Sequence, residues 1–206
     1  MAIDPEATER MRRQYDAYAA RYDRETDFYD RLMLGDARAW ACGQARGRVL
    51  EVAVGTGRNL GLYPPDVSVL GVDISAGMLR RARRRRAAAR VALVQGDAQA
   101  LPCADGAVDT VLCTLGLSSV PDDAAAVAEM HRVLRPGGRL ILVGHVASPY
   151  FPLRILQRAV ERATASRAAD RQTRQVAPLL RRTGFTVVYR RRDRGRIMER
   201  TVAAKL

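Results

Sequence analysis

Lysine is almost missing from this chain. Lys205 is the only one among 206 residues, so the excess of 35 basic over 22 acidic side chains, a net charge of +13, is carried by arginine. Aromatic residues make up 5% of the sequence, and none interleaves with the arginine clusters at 80–86, 181–182 and 190–192. A single-strand nucleic-acid binder needs aromatic platforms on which bases stack. Without them, the basic balance reads as coding bias on solvated surfaces, and nucleic acid is an unlikely partner; attraction to an anionic membrane surface is the stronger alternative. Two histidines and three cysteines (Cys42, Cys103 and Cys113) fall in no C-x-x-C or metal spacing. That excludes a recognisable metal centre and implies reduced thiols in a cytoplasmic setting. No apolar run approaches a membrane span, and the first residues lack a basic segment followed by an apolar one. The expectation is a cytoplasmic protein, peripheral to the inner membrane face in the alternative reading.

What is present centres on residues 48–73. Val49-Leu50-Glu51-Val52-Ala53-Val54 is a short apolar run broken by Gly55-Thr56-Gly57. Such a run bounded by glycine predicts a buried parallel strand, then a turn that lets a ligand approach the backbone. A helix is expected from Arg58, its first amides facing the ligand. Ser68-Val69-Leu70-Gly71-Val72-Asp73 reads as a second strand ending in an acid suited to a ribose diol. The dinucleotide fingerprint G-x-G-x-x-G lacks its third glycine, because position 60 is Leu. That argues against a nicotinamide-dependent oxidoreductase.

The register that is present, acid-x-small-x-Gly-x-Gly from Glu51 to Gly57, resembles motif I of class I S-adenosylmethionine (AdoMet) dependent methyltransferases. Gly71-Val72-Asp73-Ile74-Ser75 with Met78, then Gln95-Gly96-Asp97-Ala98, Asp109-Thr110-Val111-Leu112 and Arg135-Pro136-Gly137-Gly138-Arg139 resemble the family's later motifs in order. The amino-terminal Tyr15-Asp16-Ala17-Tyr18-Ala19-Ala20-Arg21-Tyr22-Asp23 resembles the segment that closes over the cofactor in the quinone-type and phosphatidylethanolamine N-methyltransferase-like branch. The resemblance implies AdoMet as cofactor, with S-adenosylhomocysteine as product. It also implies Asp73 on the ribose, Asp97 on the adenine, and Gly55 with Gly57 on the methionine backbone, in a loop organised by Glu51. Tyr15, Tyr22, Ala53, Ile74, Met78, Ala98 and Thr114 complete the implied cofactor residues. Two departures stand out: Ala53 replaces a usual Gly, and Gly144 stands where many members have an acid.

Along the chain, 8–36 reads as one or two amphipathic helices with Tyr15, Tyr18 and Tyr22 on one face, packed either on the core or over the cofactor. Ser75 is expected to cap a helix over 76–90, and Pro121-Asp122-Asp123 to start one running to Leu134. His145, at the end of the strand 139–146, is the candidate catalytic residue: a base for a substrate hydroxyl, or a group that positions substrate. Residues 147–172 read as a substrate lid or an interfacial amphipathic helix.

The predicted fold is α/β, a Rossmann-like, doubly wound, seven-stranded and mainly parallel sheet with a C-terminal antiparallel hairpin. One domain is expected: a helical lid over 1–42, an AdoMet-binding core over 43–146, the substrate lid over 147–172, and a closing helix and hairpin over 173–206. The implied activity is methyl transfer to a small or amphipathic acceptor, such as a natural product, quinone or lipid headgroup. The alternatives are a phospholipid headgroup N-methyltransferase at an anionic membrane and a non-catalytic AdoMet- or nucleic-acid-binding protein.

Overall fold

The computed structural model describes residues 3–164, 176–193 and 196–206. Asp4 opens the first element, its Oδ1 accepting from the amides of Glu6 and Ala7 at 3.0 Å, with Pro5 at the first helical position. The resulting helix α1, Pro5–Leu34, is one continuous element of 30 residues, about 45 Å long, stopped at Gly35. Helix α2, Ala37–Gly43, follows at once.

Strands β1 (Arg48–Val52), β2 (Ser68–Asp73), β3 (Arg90–Gln95), β4 (Val108–Thr114) and β5 (Leu134–His145) run parallel. Strand β7 (Met198–Lys205) inserts antiparallel between β5 and β6 (Phe185–Asp193), giving the order β3-β2-β1-β4-β5-β7-β6. Helices α3 (Ala76–Ala82), α4 (Asp123–Val133), α5 (Phe151–Thr164) and α6 (Val176–Arg182) complete the fold. Leu50 and Val52 point into a core with α4 and α6, and Val49 into one with α2 and α3. Both faces of β1 are thus covered, which is why it is apolar from Val49 to Val52 apart from Glu51. Among the described residues no helix is long and apolar enough to cross a membrane.

Two local expectations are corrected. The helix expected after Gly57 is only a single 3-10 turn, Leu60–Leu62, and the amides of Gly57 and Leu60 already donate to the carbonyls of Val54 and Gly57. No helix N-terminus faces the ligand edge there. Helix α3 ends at Ala82 rather than near 90, because its arginines leave the helix for other partners. Arg85 reaches back to the Thr56 carbonyl at 3.2 Å and the Asp23 carboxylate at 2.6 Å. The connection between β6 and β7, expected at Asp193-Arg194-Gly195, includes residues 194–195 outside the described set, as does the end of the expected substrate lid.

The order of strands reverses between β1 and β4, and both strands leave the sheet through a non-glycine residue with positive φ: Ala53 at 56° and Leu115 at 61°. An L-residue there costs on the order of 1–2 kcal/mol. The Ala53 methyl packs against Gly116, where a Cβ would lie 2.3 Å from the Ala53 Cβ and 3.2 Å from Cys113 Sγ. Replacing Gly116 with Ala should therefore destabilise the fold by about 1–3 kcal/mol in urea unfolding. Adding Ala53→Gly should recover most of that loss. Additive effects of the two substitutions would show that the contact is not strained.

Candidate functional site

The Tyr–Asp repeat of α1 does not stop at Asp23. Tyr29-Asp30 continues it, so Tyr15-Asp16, Tyr22-Asp23 and Tyr29-Asp30 recur every seven residues. Seven residues are two helical turns with a drift of only about 20°, so tyrosines and aspartates form two adjacent stripes. The aspartates fasten α1 across the carboxyl edge of the sheet. Asp16 Oδ1 accepts from Ser75 Oγ at 2.6 Å and the Gly77 amide at 2.8 Å, at the start of α3. A side chain at Gly77 would meet Ala19 and the Asp16 carbonyl, so its glycine allows the two helices to touch. Asp23 Oδ1 accepts from Thr56 Oγ1 at 2.6 Å and Arg58 Nε at 3.1 Å. Asp30 Oδ2 accepts from Arg38 and Arg58, each at 2.8 Å. Burial pushes the Asp16 and Asp23 carboxyls up, but these hydrogen bonds and the neighbouring arginine charges outweigh it and hold both below the usual range.

The tyrosines face inward. Beneath α1, at the ends of β1, β2 and β4, lies a cleft. Tyr15 and Tyr22 line it; Tyr15 hydrogen-bonds Ser119 at 2.6 Å, and Tyr22 packs edge-on to Tyr18. Ala53 and Gly55 line it from β1, Asp73, Ile74 and Met78 from β2 and α3, Ala98 from the turn after β3, and Thr114 from β4. Leu115, Gly116 and Ser119 line it from the loop 114–119, which in sequence reads either as approaching the ligand or as a mere connection. Met11 and Val120 also line it and were missed by sequence reasoning, since only the strand order brings them here.

Asp73 is the charged residue of that wall. Its Oδ2 accepts from the Gly55 amide at 2.8 Å and its Oδ1 from the Ser75 amide at 2.9 Å, which ties β2 to the glycine turn. Each oxygen keeps a lone pair for a further donor. Burial raises its pKa to about 6, against the two amides that favour the charge. A carboxylate short of donors, set in a cleft walled by Val52, Val72, Ile74 and Ala98, fits a nucleoside with a ribose diol and a flat base.

Other predicted residues lie off this wall. Glu51 is fully buried behind it, accepting from Asn59 Nδ2 and Tyr63 Oη, both at 2.8 Å. Burial lifts its pKa to about 7. Asn59 also donates to Thr114 Oγ1 at 2.9 Å and accepts from Arg38 at 3.0 Å, so Glu51 joins the loop to the α1 anchors. Gly57, at φ 78°, packs against Leu60 and Ala82. The Asp97 carboxylate closes a turn onto the Gln99 amide at 2.9 Å and its side chain at 3.0 Å, while Gly96 and Ala98 form the wall.

His145 lines a second, smaller cavity that shares Leu115 with the first. Its Nε2 hydrogen-bonds the hydroxyl of Tyr29, the third tyrosine of the stripe. Gly144 holds this space open, with nothing within 4 Å of where a Cβ would stand. Directly across the ladder from it is Glu199 of β7, which also lines the cavity and accepts from Arg190 and Arg192 at 2.7 Å. An acid is thus supplied by the neighbouring strand at the place where sequence reading found only Gly144. Among the described residues no cluster could hold a metal ion.

A family model described as a methyltransferase domain matches residues 50–142. The chain is 40% identical over 150 residues to a demethylmenaquinone methyltransferase of Beutenbergia cavernae, covering 69% of this chain and 60% of that relative. It is 30% identical over 164 residues to a ubiquinone/menaquinone biosynthesis C-methyltransferase of Geotalea daltonii, covering 72% and 68%. A solved AdoMet-dependent methyltransferase of Thermotoga maritima superposes with a TM-score of 0.73 at 24% identity, over 95% of this chain and 100% of that one; it shows the fold alone. The chain thus spans about 60% of the length of the first of these relatives.

The Asp73 geometry gives a pH dependence. A ribose diol held at Asp73 would donate to the carboxylate and so bind the charged form, lowering its pKa and releasing a proton on binding near pH 6. Affinity for S-adenosylhomocysteine should be full above pH 7 and fall about tenfold by pH 5, as the carboxyl protonates. Calorimetric titration across that range checks this. A flat profile would place the ribose elsewhere.

Proposed function

This chain belongs to the class I AdoMet-dependent methyltransferases, and on that premise we propose that it transfers a methyl group to a small amphipathic acceptor held in the second cavity. The observation that carries the reading is that two cavities, one suited to a nucleoside and one bearing a histidine, meet at a single residue, Leu115. In this reading Asp73 accepts hydrogen bonds from the ribose, and Ile74, Met78, Ala98 and Val120 enclose the adenine. Gly55, with the turn at Ala53, takes the methionine end, which Gly57 and Glu51 support from behind. Helix α1 is the lid, with Tyr15 and Tyr22 on its inner face and the aspartates as its fastenings. Asp97 holds the turn that presents Ala98 rather than touching the base.

When bound, AdoMet supplies an activated methyl on a sulfonium with a good leaving group. What the protein adds is alignment and exclusion of water. Leu115 stands between the two cavities, as a wall residue of both. A hydroxyl or ring-carbon acceptor must also lose a proton. His145, whose Nε2 is hydrogen-bonded to Tyr29, is the residue placed to receive it through its ring or through that hydroxyl, or to hold the acceptor. The apolar walls at Leu117, Leu142 and Val146, with polar groups confined to His145, Ser118, Thr201 and Glu199, suit a ring or short chain carrying hydroxyls. Two relatives are named as quinone-pathway methyltransferases, which agrees with an acceptor of that chemistry.

The test uses methyl-labelled AdoMet with 1,4-naphthalenediol and, separately, phosphatidylethanolamine vesicles. Label should enter the diol. Replacing His145 with Gln or Tyr29 with Phe should lower kcat about 100-fold while S-adenosylhomocysteine affinity stays unchanged. Label entering the phospholipid alone would move the assignment to headgroup methylation. Cofactor binding without transfer to either acceptor would favour the non-catalytic alternative.

A further inference from the structure

Helix α5 buries one face and leaves the other open. Gln157 lies on the buried face, accepting from the Ser148 amide at 2.9 Å and donating to the Val146 carbonyl at 3.0 Å. That fixes the helix to the exit of β5, and Val146 is itself a wall residue of the second cavity. The opposite stripe carries Phe151, Ile155, Arg158, Ala159 and Arg162, spaced at helical intervals and all exposed. Phe151 is 66% exposed and Ile155 52%, and Tyr150, just before the helix, is 56% exposed. Arg154 stands at the edge of this stripe, its guanidinium 6.0 Å from the Phe151 ring. Large apolar side chains left in water beside exposed arginines need a partner that is apolar below and anionic above.

We propose that the outer face of α5 docks on an anionic lipid surface, with Tyr150, Phe151 and Ile155 entering the headgroup boundary and Arg158 and Arg162 on the phosphates. Charge selects this occupant. A second copy of the chain would bring like arginine stripes together, on molecules that each carry a net charge of +13. The stripe is also the convex side of one helix, which suits a surface better than a peptide. Helix α1 also leaves apolar groups in water: Phe28 is 74% exposed and Leu32 54%, one turn apart beside Tyr29, which is bonded to the tip of β5. Both elements therefore bring exposed apolar groups to the carboxyl edge of the sheet. If the second cavity takes an amphipathic acceptor, as proposed above, this face would set its entrance at the bilayer; the docking itself does not depend on that reading.

Co-sedimentation with phosphatidylglycerol/phosphatidylcholine vesicles, without cofactor or acceptor, tests it. The chain should bind these vesicles at low salt, release with rising salt, and bind pure phosphatidylcholine poorly. The double variant Arg158→Gln/Arg162→Gln should bind about 30-fold more weakly, since each basic residue near such a surface contributes about fivefold. Phe151→Ser/Ile155→Ser should also lose binding. Each variant should keep wild-type affinity for S-adenosylhomocysteine, which shows that it folds and separates this result from the fate of the methyltransferase reading. Wild-type vesicle binding by either variant would overturn the proposal. So would equal binding to neutral vesicles, or a concentration-dependent dimer in sedimentation velocity that Phe151→Ser/Ile155→Ser abolishes.

Discussion

The partly buried ion network of Asp23, Asp30, Arg38 and Arg58 is the constraint on which the site depends. Arg58 sits in the turn after β1, and its guanidinium joins two successive aspartates of α1. Arg38 binds the second of them and continues through Asn59 and Thr114 to Glu51, beneath the same turn. Asp30 is 9% exposed at its side chain, Arg58 and Arg38 are 13% and 15% exposed, and Asp23, at the rim, is 31% exposed. Groups so withdrawn from water are favourable only as a set, and removing one partner typically costs about 3–5 kcal/mol because the others are left charged and unpaired. The cost of forming the network therefore brings specificity of position: α1 has one place to lie, and its tyrosines have one direction to face.

That position organises the two cavities. Tyr15 and Tyr22 roof the first, while Tyr29 reaches the histidine of the second, two helical turns further along. One rigid helix thus spans from the start of α3 to the tip of β5. At the switch point beneath it, β1 and β4 each leave the sheet through a residue of positive φ, Ala53 and Leu115. A reaction between two bound molecules needs them aligned more than it needs strong acids or bases. A helix spanning both sites, above a fixed crevice, is a direct way to provide that alignment.

Much of this was legible in the sequence. The order of motifs located the crevice between β1 and β4, and the caps at Ser75 and Asp122 located the starts of α3 and α4. These depend on residues within a few positions of one another. What escaped depends on contacts between distant segments. Helix α3 stops early because Arg85 has partners on α1 and in the glycine turn, and no local propensity announces them. The role of Asp97 turns on Gln99, whose side chain is bound at 3.0 Å to that carboxylate and at 3.1 Å to Thr8. Glu199 faces Gly144 only because β7 runs antiparallel in one register, and a one-residue slip would send it to the other face. The third Tyr–Asp pair was readable, since it repeats the same spacing, and its aspartate and tyrosine make two of the contacts that matter most.

The most direct test of the account is hydrogen–deuterium exchange on the full chain with and without S-adenosylhomocysteine. If α1 is a lid fastened through its aspartates to the glycine turn, ligand binding should slow exchange in residues 11–30 and 53–58 together, by similar factors. Saturable binding that protects the strand ends but leaves α1 unchanged would contradict the account, and would place the tyrosines in the packing of the fold instead of over the cofactor.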